Sequence, residues 1–411
     1  MSELLSLDIA AVAAGGDGVA RHEGLVVFVP RTAPGDRVRA RVQTKGRFAR
    51  GTLVAIESAG PSRVTPACPH YLRDRCGGCQ LQHLSLDAQR DAKASIVRDS
   101  FARIGKREVP LPQVHGAGDG WRYRRKLTVA LRHSAEGWVA GLHRAGRPDE
   151  IFALDDCLIA DVRVVAGVHS VMRQGAHLLP RAADLRMSVR CHGDDLLLVV
   201  TGGRDWPAAR AFAATVTAAT AVWWVNEDGK RRLLLDRRGT REAGASFVQV
   251  NADVAAPLGA HVEALVRAHA PRSVIDGYAG TGDVAAALAV DGIAVTAIEL
   301  DAEASAVSAA RLREPSRAVT ARVEDVLASL LPADVVLLNP PRAGVDAAAT
   351  AALAAAVPVP RAIIYVSCDP ATLARDVARL PGYRVASLTC FDMFPQTAHV
   401  ETVCELVPEV G

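Results

Sequence analysis

The sequence predicts an α/β protein: a doubly wound, largely parallel sheet, preceded by a small β-barrel of the oligonucleotide-binding type and a central α+β domain. Three observations carry this. From Ser246 onward, short apolar runs alternate with alanine-rich helical stretches, the pattern of a parallel sheet covered on both faces. Before residue 60, short strand-like runs are instead separated by glycine and proline, with almost no helical periodicity. The charge also divides at Ser246. Residues 246–411 carry 11 basic and 19 acidic side chains, and residues 1–245 carry 37 and 26, so the formal total of +3 conceals +11 in front and −8 behind.

The elements follow in order. Leu25–Val29, Val38–Val42 and Thr52–Ile56 read as strands of a β module over residues 1–60. A cysteine-bearing segment, Cys68–Cys79, precedes a helix predicted across Ser85–Lys106. From Trp121 to about Arg238, alternations such as Leu127–Leu131 and Leu196–Thr201 mix with helical stretches, giving a central domain over 61–245. In 246–411, strands are predicted at Val274–Asp276, Ala294–Glu299, Asp334–Leu338, Ala362–Ser367 and Tyr383–Leu388. Helices are predicted between them at Val284–Ala289, Ala302–Leu312, Ala347–Ala356 and Ala371–Leu380. Half the residues are hydrophobic and 23% charged, ordinary for a globular chain and contrary to wholesale disorder. No apolar run reaches the ~18 residues of a membrane span, and Met1-Ser2-Glu3 does not open a secretory signal. A cytoplasmic protein with no membrane attachment and no obligate protein partner is expected.

Two basic clusters point to a phosphate-bearing partner. Arg31–Arg63 holds eight cations against Asp36 and Glu57, and Trp121–Arg147 holds seven against Glu136. Within the second, Trp121-Arg122-Tyr123-Arg124-Arg125-Lys126 interleaves aromatics with cations, a composition suited to unpaired bases. A solvated basic face is the competing explanation for each cluster.

Ligands of such sheets bind at the carboxyl ends of the strands. Asp276-Gly277-Tyr278-Ala279-Gly280-Thr281-Gly282 follows one strand and opens a helix. Glu299 ends the next strand 23 residues later, where a carboxylate can take two ribose hydroxyls. At the next strand end, consecutive prolines in Asn339-Pro340-Pro341-Arg342-Ala343-Gly344 fix the backbone so that Asn339 projects into the crevice. Ser367-Cys368-Asp369-Pro370 brings a thiol to the same rim, and Glu401 lies near the C-terminus, before the strand-like Val403–Val407. A lone cysteine is more often a small buried hydrophobe, the role that suits Cys390 and Cys404.

With these motifs assembled, the chain resembles the RNA uracil-5-methyltransferases, which use S-adenosylmethionine on a class I methyltransferase fold. The matching strings are S-F-V-Q-V-N at Ser246–Asn251, D-G-Y-A-G-T-G at Asp276–Gly282, Glu299, N-P-P-R-A-G at Asn339–Gly344, Y-V-S-C-D-P-A-T-L-A-R-D at Tyr365–Asp376 and H-V-E-T-V at His399–Val403. The resemblance implies Cys368 as nucleophile and Glu401 as proton-abstracting base. It places Gln249, Tyr278, Glu299 and Asn339 at the cofactor, with Asp325 towards the adenine end and Asp283 as a further candidate. The family usually has Asp where this chain has Asn339. Because N-P-P loops also occur in methyltransferases of exocyclic amines, such an enzyme is one alternative. A non-catalytic RNA-binding protein on the same scaffold is another, and the pairing of Cys368 with Glu401 argues against both.

By the same resemblance, residues 1–60 correspond to an RNA-binding TRAM domain. Cys68-x7-Cys76-Gly77-Gly78-Cys79 is read from the residues alone as metal-ligating thiols ahead of disulfides, with zinc and iron–sulfur both open. The resemblance implies a [4Fe–4S] cluster on Cys68, Cys76, Cys79 and Cys157. It also implies an RNA substrate, ribosomal RNA ahead of transfer RNA, with the target base flipped out of any stack.

Overall fold

The computed structural model describes residues 3–238 and 249–409. The chain builds three sheets. Residues 3–58 form six strands in the spatial order Glu3–Asp8, Arg37–Lys45, Phe48–Ser58, Leu25–Val29, Gly18–His22, Ala11–Val12. Alternation makes this sheet two-faced: in Arg37–Lys45, Val38, Ala40 and Val42 are buried beside Val27 and Val29, while Arg37, Arg39 and Arg41 stay outside. A seven-stranded sheet spans Lys126 to Asp236 and carries the helix Val162–Gly175 on a core that includes Val129, Leu131, Met187 and Phe212.

The third sheet contains seven strands of the C-terminal part. They are β1 (Ser273–Gly277), β2 (Ala294–Glu299), β3 (Arg317–Thr320), β4 (Val335–Leu338), β5 (Ala362–Ser367), β6 (Tyr383–Phe391) and β7 (Glu401–Pro408). Their order is β3-β2-β1-β4-β5-β7-β6, with an eighth strand, Gln113–His115, on the far edge beside β6. The first five run parallel, and β7 inserts antiparallel between β5 and β6. Val335–Leu338 and Ala362–Ser367 are buried along their whole length, as strands covered on both faces require. The order turns back between β1 and β4, so a crevice opens at Gly277 and Leu338, where ligands of open α/β sheets bind.

The expected strands and helices of this part lie where the sequence placed them, within a few residues. Three elements have no sequence counterpart, the helix Ala252–Ala268, the edge strand β3 and the helix Val323–Leu330. The upstream segment also behaves differently from the reading that placed it in the central domain. The predicted helix over Ser85–Lys106 is an α-helix at Leu86–Ser100 that ends in a π-helical turn, Phe101–Gly105. Its Val97 and Phe101 pack in the same core as Leu373, Ala374 and Val377, and Gln113–His115 extends the third sheet. Residues 86–115 thus pack as part of the C-terminal unit, because their apolar face finds its partner there. Among the described residues, no helix is long and apolar enough to cross a membrane.

Candidate active site

At the β1 end, three residues adopt left-handed backbone: Tyr278 at φ 64°, Gly280 at 57° and Gly282 at 74°. A β-carbon on Gly282 would sit 2.3 Å from Ser308 Oγ, so the turn closes only around glycine there. Gly280 N–H donates to Glu299 Oε2 at 2.9 Å and Asp301 N–H to Oε1 at 2.7 Å, which fixes the Glu299 carboxylate at the rim with lone pairs to spare. Asn339 is exposed at the end of β4, its N–H bonded to the Gly277 carbonyl at 3.2 Å. Tyr278, Glu299 and Asn339 therefore surround one crevice.

The other cofactor candidates lie differently. Asp283 is exposed and pairs with Arg311. Asp325 is exposed in the first turn of Val323–Leu330, and the carboxylate of that helix that bears on the Tyr278 phenol is that of Glu324; burial first, then Glu324, Asp346 and Asp376, push that phenol up to about 12. Gln249 is half-buried beside Val250, whose carbonyl accepts from Arg125 N–H at 2.9 Å. Ser246, Phe247 and Val248 of the same string lie outside the described residues. Asp276, given no role by the sequence, is buried beneath the turn. Desolvation, then Glu299 and Asp283, lift its carboxyl to about 7.

Cys368 and Glu401 are brought together by the antiparallel pairing of β5 with β7. The β5–β7 register runs as far as Ser367 opposite Thr402, which sets Cys368, just past the end of β5, near Glu401, the first residue of β7. On its other side Glu401 pairs with Phe391. Cys368 is half-buried and Glu401 only 5% exposed. Burial lifts the Glu401 carboxyl to about 7, partly countered by Arg342; burial and the neighbouring Glu401 likewise raise the Cys368 thiol, again countered by Arg342. The charge of Arg342, inside N-P-P-R-A-G, thus bears on both groups. The sequence gives Arg342 no role, although its place directly behind Pro340-Pro341, four residues past the end of β4, is a usable signal. Cys390 and Cys404 are fully buried in the sheet, as expected of small hydrophobes.

The long string Tyr365–Asp376 has a physical explanation. Asp376 is fully buried and accepts from Tyr365 Oη at 2.8 Å, Val345 N–H at 2.8 Å, Arg375 Nε at 2.8 Å and Arg379 Nη1 at 3.1 Å. One carboxylate therefore ties β5, the helix Pro370–Ala378 and the end of the Asn339 loop together. Gly344, at φ 81°, is required because a β-carbon there would stand 2.3 Å from Asp376 Oδ2. Asp369 caps the helix by accepting from Ala371 N–H at 2.9 Å and Thr372 N–H at 3.1 Å, which holds Cys368 at its mouth.

The upstream cysteines are gathered too. Cys68 and Cys79 share a small apolar cluster with Tyr71 and Ile159, with Cys157 packed against it. The charges of Cys68, Cys76 and Cys157 all bear on Cys79, after burial, which lifts that thiol to about 12; burial also lifts Cys157 to about 11. All four are free thiols. Yet among the described residues no group of three or more His, Cys, Asp or Glu side chains is arranged to hold a metal ion, so the expected ligand set is present as neighbours but not as a formed site. The aromatic–cation stretch is also largely engaged within the chain. Arg122 clamps Asp156 at 2.6 Å and the Cys157 carbonyl at 3.1 Å, and Tyr123 Oη donates to the Pro395 carbonyl at 3.0 Å.

A β3-β2-β1-β4-β5-β7-β6 sheet with a glycine turn, an acidic β2 end and an exposed β4 end defines a class I methyltransferase. The comparisons narrow this. The tRNA (uracil-5-)-methyltransferase family model matches residues 305–407. The 23S rRNA (uracil(1939)-C(5))-methyltransferase of Chromohalobacter salexigens is 33% identical over 97% of this chain and 88% of its own, and that of Halomonas elongata is 32% identical over the same shares. The crystal structure of the Pyrococcus abyssi tRNA (uracil-54, C5)-methyltransferase in complex with S-adenosyl-L-homocysteine superposes with a TM-score of 0.70, covering 99% of this chain and 100% of that one at 22% identity. The chain belongs to the RNA uracil-C5-methyltransferase family. It is an enzyme that methylates C5 of uracil in RNA with S-adenosylmethionine as methyl donor.

Proposed function

We propose that the enzyme methylates a uridine of 23S ribosomal RNA through a covalent bond between Cys368 and C6 of the base. The observation that carries this is the nearness of Cys368 to Glu401 where β5 ends beside β7, with the charge of Arg342 bearing on both. C5 of uracil is a weak nucleophile. Addition of the Cys368 thiolate to C6 pushes electrons into an enolate, whose C5 can attack. S-adenosylmethionine, when bound, supplies an electrophilic methyl group to that carbon. Glu401 then takes the C5 proton, the C5–H electron pair re-forms the C5–C6 double bond, and the C6–S bond breaks with its electrons returning to Cys368. A carboxyl lifted to about 7 by burial is matched to that proton transfer at neutral pH. Tyr278, Glu299, Asn339 and Gln249 would hold the cofactor; the glycine turn, the fixed Glu299 carboxylate and the exposed Asn339 amide supply the donors and acceptors it needs. Cys368→Ala should abolish turnover while leaving S-adenosylhomocysteine affinity within about twofold, and full residual activity in that variant would refute the covalent mechanism.

Ribosomal RNA is favoured because the relatives at 32–33% identity are named for 23S rRNA, whereas the transfer RNA enzyme shares only 22%. Nucleoside mapping of 5-methyluridine in RNA from a deletion strain decides it: loss from transfer RNA alone would overturn the ribosomal assignment. Residues 1–60 act as a TRAM-type RNA-binding module, 61–245 as a central domain apart from the 86–115 segment that packs on the C-terminal sheet, and 246–411 with that segment as the methyltransferase domain; the outward Arg37, Arg39 and Arg41 support the first of these. We also propose a [4Fe–4S] cluster on Cys68, Cys76, Cys79 and Cys157. A cubane places iron and sulfide between its thiolates, so they need not converge on one ion. Anaerobic protein with iron and sulfide in equal amounts, about four of each per chain, supports it, and a colourless zinc protein overturns it.

A further inference from the structure

Glu401 is reached through the segment Asp392–Val400, which leaves β6 and returns as β7. The anchors of that segment come mostly from far upstream. Lys93 and Asp392 are both 0% exposed and lie 2.5 Å apart, Nζ to Oδ1; Lys93 Nζ also donates to the Phe394 carbonyl at 3.0 Å. Gln89 and Gln396 exchange two bonds, Gln89 Nε2 to Gln396 Oε1 at 3.0 Å and Gln396 N–H to Gln89 Oε1 at 2.8 Å. The Gln396 carbonyl accepts from Gln80 N–H at 3.1 Å and Leu81 N–H at 2.9 Å, and Tyr123 Oη holds the Pro395 carbonyl. Gln396 itself is held at φ 70°, a conformation that persists in a non-glycine residue only when its surroundings over-determine it.

A buried ion pair contributes little net stability but strongly prefers a single geometry. Here that geometry lies next to the base: Asp392 follows Phe391, the β6 partner of Glu401. We infer that Lys93, acting through Asp392 and the Phe394 carbonyl, is a positioning residue that aims the Glu401 carboxylate at the C5 proton. The inference rests on the covalent mechanism proposed above. Its consequence is selective. Addition of Cys368 and methyl transfer precede the use of Glu401, so loss of Lys93 slows elimination and leaves the earlier steps standing. The methylated base then stays bonded to Cys368 through C6.

The test uses the full-length enzyme, S-adenosylmethionine and an end-labelled RNA containing the target uridine, followed by denaturing electrophoresis. Lys93→Met is expected to accumulate a methylated RNA–protein adduct on unmodified RNA. Product release should slow by about tenfold or more, since small displacements of a catalytic group cost factors of this order. Adduct formation and S-adenosylhomocysteine affinity should stay within about threefold of wild type. Asp392→Asn should behave alike. Wild-type release, or a parallel fall of adduct formation, release and cofactor affinity, would overturn the inference. If the unpaired Asp392 prevents folding of Lys93→Met, Tyr123→Phe and Gln89→Met, which remove one and two hydrogen bonds from the same segment, decide it by the same adduct. Two controls separate this inference from the mechanism beneath it. Glu401→Gln must trap the adduct and Cys368→Ala must give none. Product from Cys368→Ala refutes the covalent mechanism, whereas correct controls with no trapping in Lys93→Met refute only the role of Lys93.

Discussion

Replacing Asp376 by alanine removes the carboxylate on which β5, the helix behind Cys368 and the Asn339 loop converge. Two of its donors, Tyr365 Oη and Val345 N–H, are buried and each lies 2.8 Å away. Left without an acceptor, each costs about 1–3 kcal/mol. Arg375 and Arg379 are 41% and 38% exposed and can turn to water, so their loss adds little. The expected cost is about 2–6 kcal/mol. Tyr365→Phe, which removes one donor and leaves the carboxylate with three, should cost about 1 kcal/mol. Native-state hydrogen exchange of peptides covering 335–378 reads this directly, because it reports local opening rather than the unfolding of a three-sheet chain. Exchange there should accelerate about tenfold or more beyond that of Tyr365→Phe. If Asp376→Ala exchanged no faster than Tyr365→Phe, Asp376 would not be the tie inferred from its bonds.

Three further outcomes are expected. Glu401 acts as a base only when ionised, and burial lifts its carboxyl to about 7. Release of product from preformed adduct should therefore fall about tenfold per pH unit below 7 and level off above it; a flat profile from pH 6 to 8 would contradict the assignment. Gly282→Ala should destabilise the glycine turn more than Gly280→Ala. Both need left-handed backbone, about 1–2 kcal/mol for alanine, but only Gly282 adds a clash, with Ser308 Oγ. Equal thermal shifts and equal S-adenosylhomocysteine affinities would count against it. Asn339→Asp should tighten S-adenosylmethionine binding by about two- to fivefold, the scale of an exposed charge pair, and calorimetry showing unchanged or weaker binding would show that the amide carbonyl suffices.

Much of the catalytic sheet was legible because its signals are local. Ala294–Glu299 and Ala362–Ser367 are apolar runs bounded by turn or acidic residues, and the structure reproduces both bounds. The edge strand Arg317–Thr320 gave no such signal, since an edge strand this short and half-exposed has no apolar run to show. The glycine turn, the Glu299 rim and the Asn339 loop could be placed because special backbone conformations restrict residue choice. Lys93 could not. On a helix with polar neighbours a lysine reads as solvated, and its burial depends on Asp392, 299 residues away. Likewise Trp121–Lys126 reads as an open aromatic–basic surface, yet Arg122 and Tyr123 are spent on Asp156 and Pro395. Composition records which groups are present, whereas partnership across hundreds of residues is set by the fold alone.

The helix Leu86–Ser100 also limits how this enzyme can be rearranged. A cut near Ser246, where both charge and motif content invite one, would yield a fragment carrying the nucleophile, the base and the cofactor crevice. That fragment would leave Asp392 buried without its cation and expose the apolar face that Val97 and Phe101 cover. Chimeras between relatives, or grafts onto a different RNA-binding head, would have to transfer Leu81–His115 together with the C-terminal part. The transplantable unit is discontinuous in the chain, and exchange of heads by simple fusion is closed to it.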